Sequence, residues 1–472
     1  MHAAEPTMPL SDAPGTSRRP RVVVVGAGFG GLAATRGLRG APVEITVIDR
    51  TDHHLFAPLL YQVATGLLSP GEIAPALRKV LRRQHNASVV LGEATAVDLD
   101  ARQVEVLQED GTASRVSYDY LVLAAGAHDS YFGHDEWGEH AYPMKTLAEA
   151  ARLRDHIFEA YERAAECDDP TERCRLMSFV IVGAGPTGVE IAGQLAALAR
   201  EMRQEFHPIS AAESQIVLID ALPEVLSTFP SVLRTHTSKR LAAMGVEVLL
   251  DARAEDIDAD GITVKATDEH TQRIDAHTVI WAAGVQPSPL AVTIAQAADA
   301  DVDRKGRVRV RPDCSLPGHP DVFVVGDMAN LNDLPGLSEP ALQEGRYVAR
   351  TVRHRVTGAS RLGPFTYRDL GTMATISPSD AVADVFGLKL WGQAGKLAWA
   401  LVHIAFLVGW GNRAGVLVRW AFLLLTRCRP ERVILTAVRN RVSAAVPAPR
   451  PAAASSPTAR QPCAPTDGKR QS

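Results

Sequence analysis

Two clusters of small residues carry the chemistry legible in this chain: Gly26-Ala-Gly28-Phe-Gly-Gly31 and Gly183-Ala-Gly185-Pro-Thr-Gly188. Both have G-x-G-x-x-G spacing, and each follows a β-branched apolar run that reads as a strand buried on both faces, Val22–Val25 and Phe179–Val182. In such a turn the first glycine permits a tight bend. The second lets backbone approach a pyrophosphate, and the third lets the next helix pack closely. The anion would sit on the helix N-terminus, where free N–H groups and the dipole favour negative charge. Each motif is followed by a strand ending in an acid, Glu44–Asp49 and Gln215–Asp220. Asp49 lies 18 residues past Gly31, near the roughly 20 expected of an acid that binds a ribose 2′-hydroxyl. Asp220 lies 32 residues past Gly188, with the helix and the loop at His207-Pro208 taking up the excess. One such turn also occurs in α/β units that bind nothing. Two copies 157 residues apart read as an internal duplication of a dinucleotide site.

The elements that position these turns follow from pattern. Tyr118–Gly126 and Thr278–Gly284 are strands ending in Ala-Ala-Gly, so Gly126 and Gly284 would let backbone lie against a nucleotide. Val322-Phe-Val-Val-Gly326-Asp327 is a further buried strand, expected to return to the first unit. Shorter strands are expected at Ser88–Leu91, Gln103–Val106, Gly245–Leu250 and Gly261–Val264, a hairpin turn at Asp110-Gly111 and a helix over 145–166. His53–Gln62, with Pro58, is too irregular for a helix assignment.

The expected fold class is α/β. It comprises two Rossmann-like dinucleotide-binding domains, the second inserted in a discontinuous first, plus C-terminal amphipathic membrane-interface helices. The expected boundaries begin with a disordered tail over 1–20. The first domain then runs over 21–144 and resumes over 291–375, with the inserted domain at 145–290 between its halves. A membrane-associating domain over 376–443 and a disordered tail over 444–472 complete the chain.

A net charge of −4 argues against a dedicated nucleic-acid binder. The five cysteines form no C-x-x-C pair, which disfavours a disulfide framework or dithiol centre. Cys167 and Cys174 sit in a polar segment that reads as a surface loop, and His128 reads as a solvated loop histidine. Residues 1–20 lack the apolar core of a secretory signal. No metal site is expected.

The C-terminal block is different. Lys396–Trp410 and Val416–Leu425 are almost wholly apolar, separated by Gly-Asn-Arg, and each is shorter than the roughly 18 residues a spanning helix needs. Trp391, Trp399, Trp410 and Trp420 sit in or beside them, with Arg413, Arg419, Arg427, Arg429, Arg432, Arg439 and Arg441 nearby. That combination reads as helices lying in a membrane interface; the alternative is a buried or dimer-forming helix pair.

On His53-His-Leu-Phe-Ala-Pro-Leu-Leu-Tyr-Gln-Val-Ala-Thr-Gly66, Gly183–Glu190, Phe365–Ile376 and Val402–Arg413, residues 20–435 resemble the type II NADH:quinone oxidoreductases, within the two-dinucleotide-binding-domain flavoproteins. The resemblance implies FAD on the first unit, at Gly26, Gly28, Gly31, Asp49, Gly126 and Asp327. It implies NADH on the second, at Gly183, Gly185, Gly188, Glu190, Asp220 and Gly284. Glu190 would be the acid near the nicotinamide; a helix-dipole partner is the alternative. Glu190 and Gln343 are the candidate catalytic residues, and Tyr61, Gln62, Glu339 and Gln343 the candidate quinone site. The implied activity is oxidation of NADH with transfer of two electrons to a membrane quinone, without proton pumping. The implied partners are NADH, the quinone and the membrane surface, with no nucleic acid. A homodimer, peripheral on the cytoplasmic face of the cell membrane, is also implied.

Two departures stand out. The family's Ala-Gln-x-Ala-x-Gln is Ser338-Glu-Pro-Ala-Leu-Gln343 here, and Ser377-Pro-Ser-Asp380 stands where relatives carry Gly-Arg. The alternatives are a sulfide:quinone oxidoreductase, another FAD-dependent NAD(P)H reductase of the same fold, and a flavin-free nucleotide sensor or scaffold.

Overall fold

The computed structural model describes residues 18–206, 214–426 and 429–434. The expectations for residues 1–17, for His207-Pro208, for Arg427, Arg439 and Arg441, and for the 444–472 tail lie outside these. The chain forms two compact units, the first made of residues up to Asp52, Leu81–Gly126 and Pro287–Tyr367.

The first unit is built on a six-stranded sheet in the order Ser315–Leu316, His319–Val324, Tyr120–Leu123, Arg21–Val25, Glu44–Asp49, Ala87–Leu91. All neighbours are parallel except the first pair. His319–Val324, the strand before Gly326-Asp327, does return to this sheet although residues 127–286 of the second unit intervene in the chain. Val22, Val23, Val24 and Val25 are buried, as a parallel strand with both faces covered requires. The helix Phe29–Gly37 follows the first glycine turn and packs on Ser338–Thr357. A Cβ on Gly345 would collide with the carbonyl oxygen of Gly30, and one on Gly37 with Ala349, so small residues set the closeness of these helices. Gln103–Leu107 and Ala113–Ser117 form the hairpin closed by Asp110-Gly111.

The second unit, residues 53–80, 127–286 and 368 onward, carries a five-stranded parallel sheet. Its order is Val246–Leu249, Gln215–Ile219, Ser178–Val182, Thr278–Trp281, Ala141–Pro143. The helix Leu147–Glu166 opens at a capping box between Thr146 and Glu149, close to the predicted start. The second glycine-turn helix is Pro186–Met202. A meander of Thr372–Ser377, Asp380–Val385 and Leu388–Trp391 lies on it, and Gly193 admits the Ile376 carbonyl.

Several expectations change. Residues 53–80 cluster with the second unit, and the return to it falls at 367/368. The irregular stretch around Pro58 forms a single 3-10 turn, Ala57–Leu59, leading into a helix, Leu60–Ala64. Proline is tolerated there because the first N–H groups of a helix have no intrahelical acceptor. The segment after Cys167 is not all loop: Pro170–Leu176 is helical, started by the Asp169 carboxylate accepting from Thr171 N–H. His128 is half-buried in a short strand, with Gln286 at 2.8 Å.

The C-terminal helices are Gly392–Phe406 and Trp410–Thr426. The break falls before the Gly-Asn-Arg triplet, at Gly409, whose φ of +97° is open to glycine. Arg413 then donates to the carbonyls of Ala405 and Leu407, capping the first helix, and Asn412 donates to Gly71 and Glu72. Among the described residues no helix is long and apolar enough to cross a membrane. The arginines are not all set toward a headgroup layer. Arg419 lies near Glu72 and Glu431, and Arg432 pairs with Glu205. The Arg429 side chain is fully buried against Glu201, Thr65 and Gln194. Trp399 is buried too, because it packs between Lys396, His403 and Trp420. A row of exposed apolar side chains remains, including Leu397, Leu401, Trp410, Val418, Leu424 and Leu425.

Candidate functional site

The two glycine turns are superposable in their bonding. In the first unit Gly26 N–H donates to Ile48 O at 2.7 Å. Ala27 N–H donates to Asp49 Oδ2 at 2.6 Å, and Thr51 N–H to Asp49 Oδ1 at 2.8 Å. In the second, Gly183 N–H donates to Ile219 O at 2.7 Å. Ala184 N–H donates to Asp220 Oδ2 at 2.5 Å, and Leu222 N–H to Asp220 Oδ1 at 2.8 Å. Asp49 and Asp220 are therefore equivalent despite their different sequence spacing. Each braces its own turn, and the lone pairs left over are what a ribose hydroxyl would meet.

Gly26 and Gly183 have φ near +90 to +106°, and a Cβ on either would strike the Ala-Ala backbone of the neighbouring strand, at Ala124 or Ala282. This is why the Ala-Ala-Gly strands stand beside the glycine strands. A Cβ on Gly31 or Gly188 would strike the turn's own first carbonyl. Gly28 and Gly185 differ: each caps its helix and nothing lies within 4 Å of a Cβ built there. Each unit thus presents an open space over a helix N-terminus, the cradle a dinucleotide pyrophosphate fits. Gly126 closes the first set with φ of +69°, its carbonyl held by Ser288 N–H. Gly284 closes the second, covered by the Phe132 ring.

At the return strand of the first unit, Gly326 N–H donates to Glu344 Oε2 at 2.6 Å, fixing the turn that presents half-buried Asp327. Burial pushes the Glu344 carboxyl up to about 7. Glu344 was not singled out from sequence; its one signal is that it is the charged residue among the buried positions of its helix. One residue earlier, Gln343 Nε2 donates to Glu339 Oε1 at 3.1 Å. The acid at 339 is half-buried in the first helical turn, where an N-terminus favours it. Pro340 is tolerated in that turn. Gln343 lines a cavity of about 420 Å³ with Gly37, Arg346, Arg350, Phe365 and Thr366.

The second unit holds a buried polar cluster. Glu190 lies beyond the first turn of its helix and is 8% exposed, so solvation and dipole pairing do not account for it. Its Oε1 accepts Thr375 N–H at 3.1 Å. Lys396 Nζ donates to Thr375 Oγ1 at 2.8 Å and lies 3.9 Å from the centre of the Trp399 ring. Burial pushes the Glu190 carboxyl up and the Lys396 ammonium down, while the opposite charge of each partner opposes the shift. Lys396 escaped sequence reading, although it is the one lysine, arginine or carboxylate in Gly392–Phe406. Tyr61 and Gln62 are buried beside this cluster, and Gln62 Nε2 donates to Tyr61 Oη at 2.9 Å. The four quinone-site candidates thus form two bonded pairs, Glu339–Gln343 in the first unit and Tyr61–Gln62 in the second. Among the described residues no group of His, Cys, Asp and Glu could hold a metal ion.

The pyridine nucleotide-disulphide oxidoreductase family model matches residues 20–345. Two curated proteins of Mycobacterium tuberculosis, the type II NADH:quinone oxidoreductases Ndh and NdhA, are 44% and 45% identical to this chain. Each alignment covers 88% of the chain and 90% or 89% of the relative. Among solved structures, NDH2 from Plasmodium falciparum in complex with NADH matches with a TM-score of 0.80 at 18% identity, over 88% of this chain and 99% of that one. Sulfide:quinone oxidoreductase from Aquifex aeolicus matches at 0.67 and 18%, over 84% and 92%. The last two show the fold alone, whereas the mycobacterial identities reach further: the chain belongs to the pyridine nucleotide-disulphide oxidoreductases and, within them, to the type II NADH:quinone oxidoreductases.

Proposed function

We propose that this protein oxidises NADH through FAD and delivers the electron pair to a membrane quinone, without proton pumping. The observation that carries this is the duplicated glycine–acid cradle in a chain 44–45% identical to the mycobacterial enzymes. Bound FAD supplies an isoalloxazine that accepts a hydride and gives up the electrons to a second substrate. The chain's own work is positioning and electrostatics. Gly26, Gly28, Gly31, Asp49, Gly126 and Asp327 are the residues that would hold FAD, with Glu344 bracing the Asp327 turn. Gly183, Gly185, Gly188, Asp220 and Gly284 would hold NADH. The Asp220 charge disfavours a 2′-phosphate, and hence NADPH. Quinone reduction consumes two protons, and the buried Glu190–Lys396 pair suits holding one close to neutrality.

The exposed apolar row on Gly392–Phe406 and Trp410–Thr426 supports peripheral membrane attachment, since soluble surfaces seldom carry so many large apolar side chains in one place. Attachment at the cytoplasmic face and a homodimer follow from the resemblance. The sulfide:quinone reading needs a cysteine pair at the flavin. Cys167 and Cys174 instead flank a polar helix start in the second unit, and Cys314 is buried alone among the described cysteines. Anaerobic mixing tests the reading. NADH should bleach the flavin bands, and a quinone should restore them. Bleaching by sulfide and not NADH, or no re-oxidation by any quinone, would overturn it.

A further inference from the structure

Trp420 touches the candidate acceptor site through two side chains. Its indole Nε1 donates to Gln62 Oε1 at 2.8 Å, and Gln62 Nε2 donates to Tyr61 Oη at 2.9 Å. The Tyr61 hydroxyl is buried, and the Glu190 charge adds to that burial in holding its proton on. Thr375 Oγ1 takes a bond from Lys396 Nζ at 2.8 Å, and lies 3.2 Å from the carbonyl oxygens of both Ser377 and Asp380.

The direction of the protons in this row is set by its donor-only end. An indole N–H donates and never accepts, so the Gln62 amide must turn its oxygen to Trp420. Its NH₂ therefore points at Tyr61, whose oxygen accepts. A phenol has one proton, and with its oxygen accepting from Gln62 that proton must point away from the amide. Beside Glu190, Thr375 Oγ1 takes its bond from Lys396 Nζ, so the Thr375 proton goes to the carbonyl of Ser377 or Asp380. The donor-only indole therefore leaves one arrangement of the Trp420–Gln62–Tyr61 row in which both bonds are made. Packing holds the ends in place: the Trp420 indole lies 5.1 Å from the Trp399 ring, centroid to centroid, and the Trp399 face takes the Lys396 ammonium.

We infer that Trp420 is a positioning residue that, through Gln62, keeps the Tyr61 hydroxyl proton turned away from the amide and available as a donor, so that the helix Trp410–Thr426 sets the donor polarity of the acceptor site. Without the indole N–H the Gln62 amide is free to turn over. Tyr61 then donates to Gln62 Oε1, and its proton is no longer available to the acceptor site. The inference rests on the proposed quinone reduction at this site.

The test is a double-mutant cycle on the FAD-loaded, detergent-purified enzyme, followed by anaerobic flavin re-oxidation with a short-chain soluble quinone. Membrane binding then plays no role. Trp420→Phe keeps the ring stack and removes the N–H, and Gln62→Leu removes the amide. Either should slow re-oxidation about five- to tenfold, the worth of one misdirected hydrogen bond. In a Tyr61→Phe background neither should change the rate more than about twofold, because there is no proton left to aim. A merely structural role for Trp420 slows both backgrounds alike, and that outcome, or no slowing by Trp420→Phe, overturns the relay while leaving quinone reduction standing. If Tyr61→Phe alone re-oxidises at the wild-type rate, Tyr61 does not belong to the acceptor site and both the assignment and the relay fall.

Discussion

Replacing Arg429 by methionine should be the most damaging single change outside the nucleotide cradles. The guanidinium side chain has no exposed surface. It gives Nε to Glu201 Oε2 at 3.0 Å, Nη1 to Thr65 O at 2.8 Å, and Nη2 to both Gln194 O and Gln194 Oε1 at 3.2 Å. Methionine fills most of the volume but leaves those acceptors facing an apolar chain. Removing one partner of a buried ion pair costs about 3–5 kcal/mol, most of it the desolvation of what stays behind. Arg419→Met is the internal control. Arg419 lies 3.1 Å from Glu431 and 3.6 Å from Glu72, but its side chain is 26% exposed, so its loss should cost about 1 kcal/mol or less. Denaturant unfolding of the FAD-loaded enzyme, followed by tryptophan fluorescence, compares the two. Equal losses, or a loss under about 1 kcal/mol for Arg429→Met, would refute the buried anchor. Arg429→Lys should recover only a fraction of the difference, because an ammonium cannot reproduce the planar fork.

Gly28→Val should yield colourless protein, because the side chain fills the open space over the first helix N-terminus; a purified variant with flavin absorbance would refute the first cradle. Glu344→Gln probes the buried acid under the Asp327 turn. Its carboxyl is raised from 4.5 to about 7, so the folded state favours the protonated form, and the wild type loses that stability as pH rises through 7. The amide cannot ionise, so the variant should gain on wild type between about pH 5 and 8, by up to about 3 kcal/mol, in parallel urea titrations. A pH-independent difference would contradict the burial argument. Leu401→Glu with Val418→Glu places charge on two exposed apolar positions and should abolish co-flotation with anionic vesicles while leaving NADH-dependent flavin bleaching intact; full flotation would refute the proposed membrane face. Truncation before the C-terminal helices is a poor substitute, since it removes Lys396, Trp399 and Arg429 from the interior of the second unit.

The sequence by itself determined the two glycine turns, their strands and the return of Val322–Asp327 to the first sheet. Those depend on local rules: a β-branched run makes a buried strand, and a glycine where φ is positive makes the turn. It also led to the family, through motifs that need no fold to read. Only the tertiary structure decided what the isolated polar residues do. The matched bonding of Asp49 and Asp220, each accepting from its own turn, is one such feature, because hydrogen bonds register position in space and not along the chain. Lys396 sits 206 residues from Glu190 in sequence, and Trp420 is 358 from Gln62. Tryptophans and arginines suggested a membrane surface throughout the C-terminal block. Packing instead drew Trp399 and Arg429 inside, because the fold supplies acceptors for the arginine and faces for the indole that no linear pattern records. The exposed row is what the fold leaves on the surface of these helices.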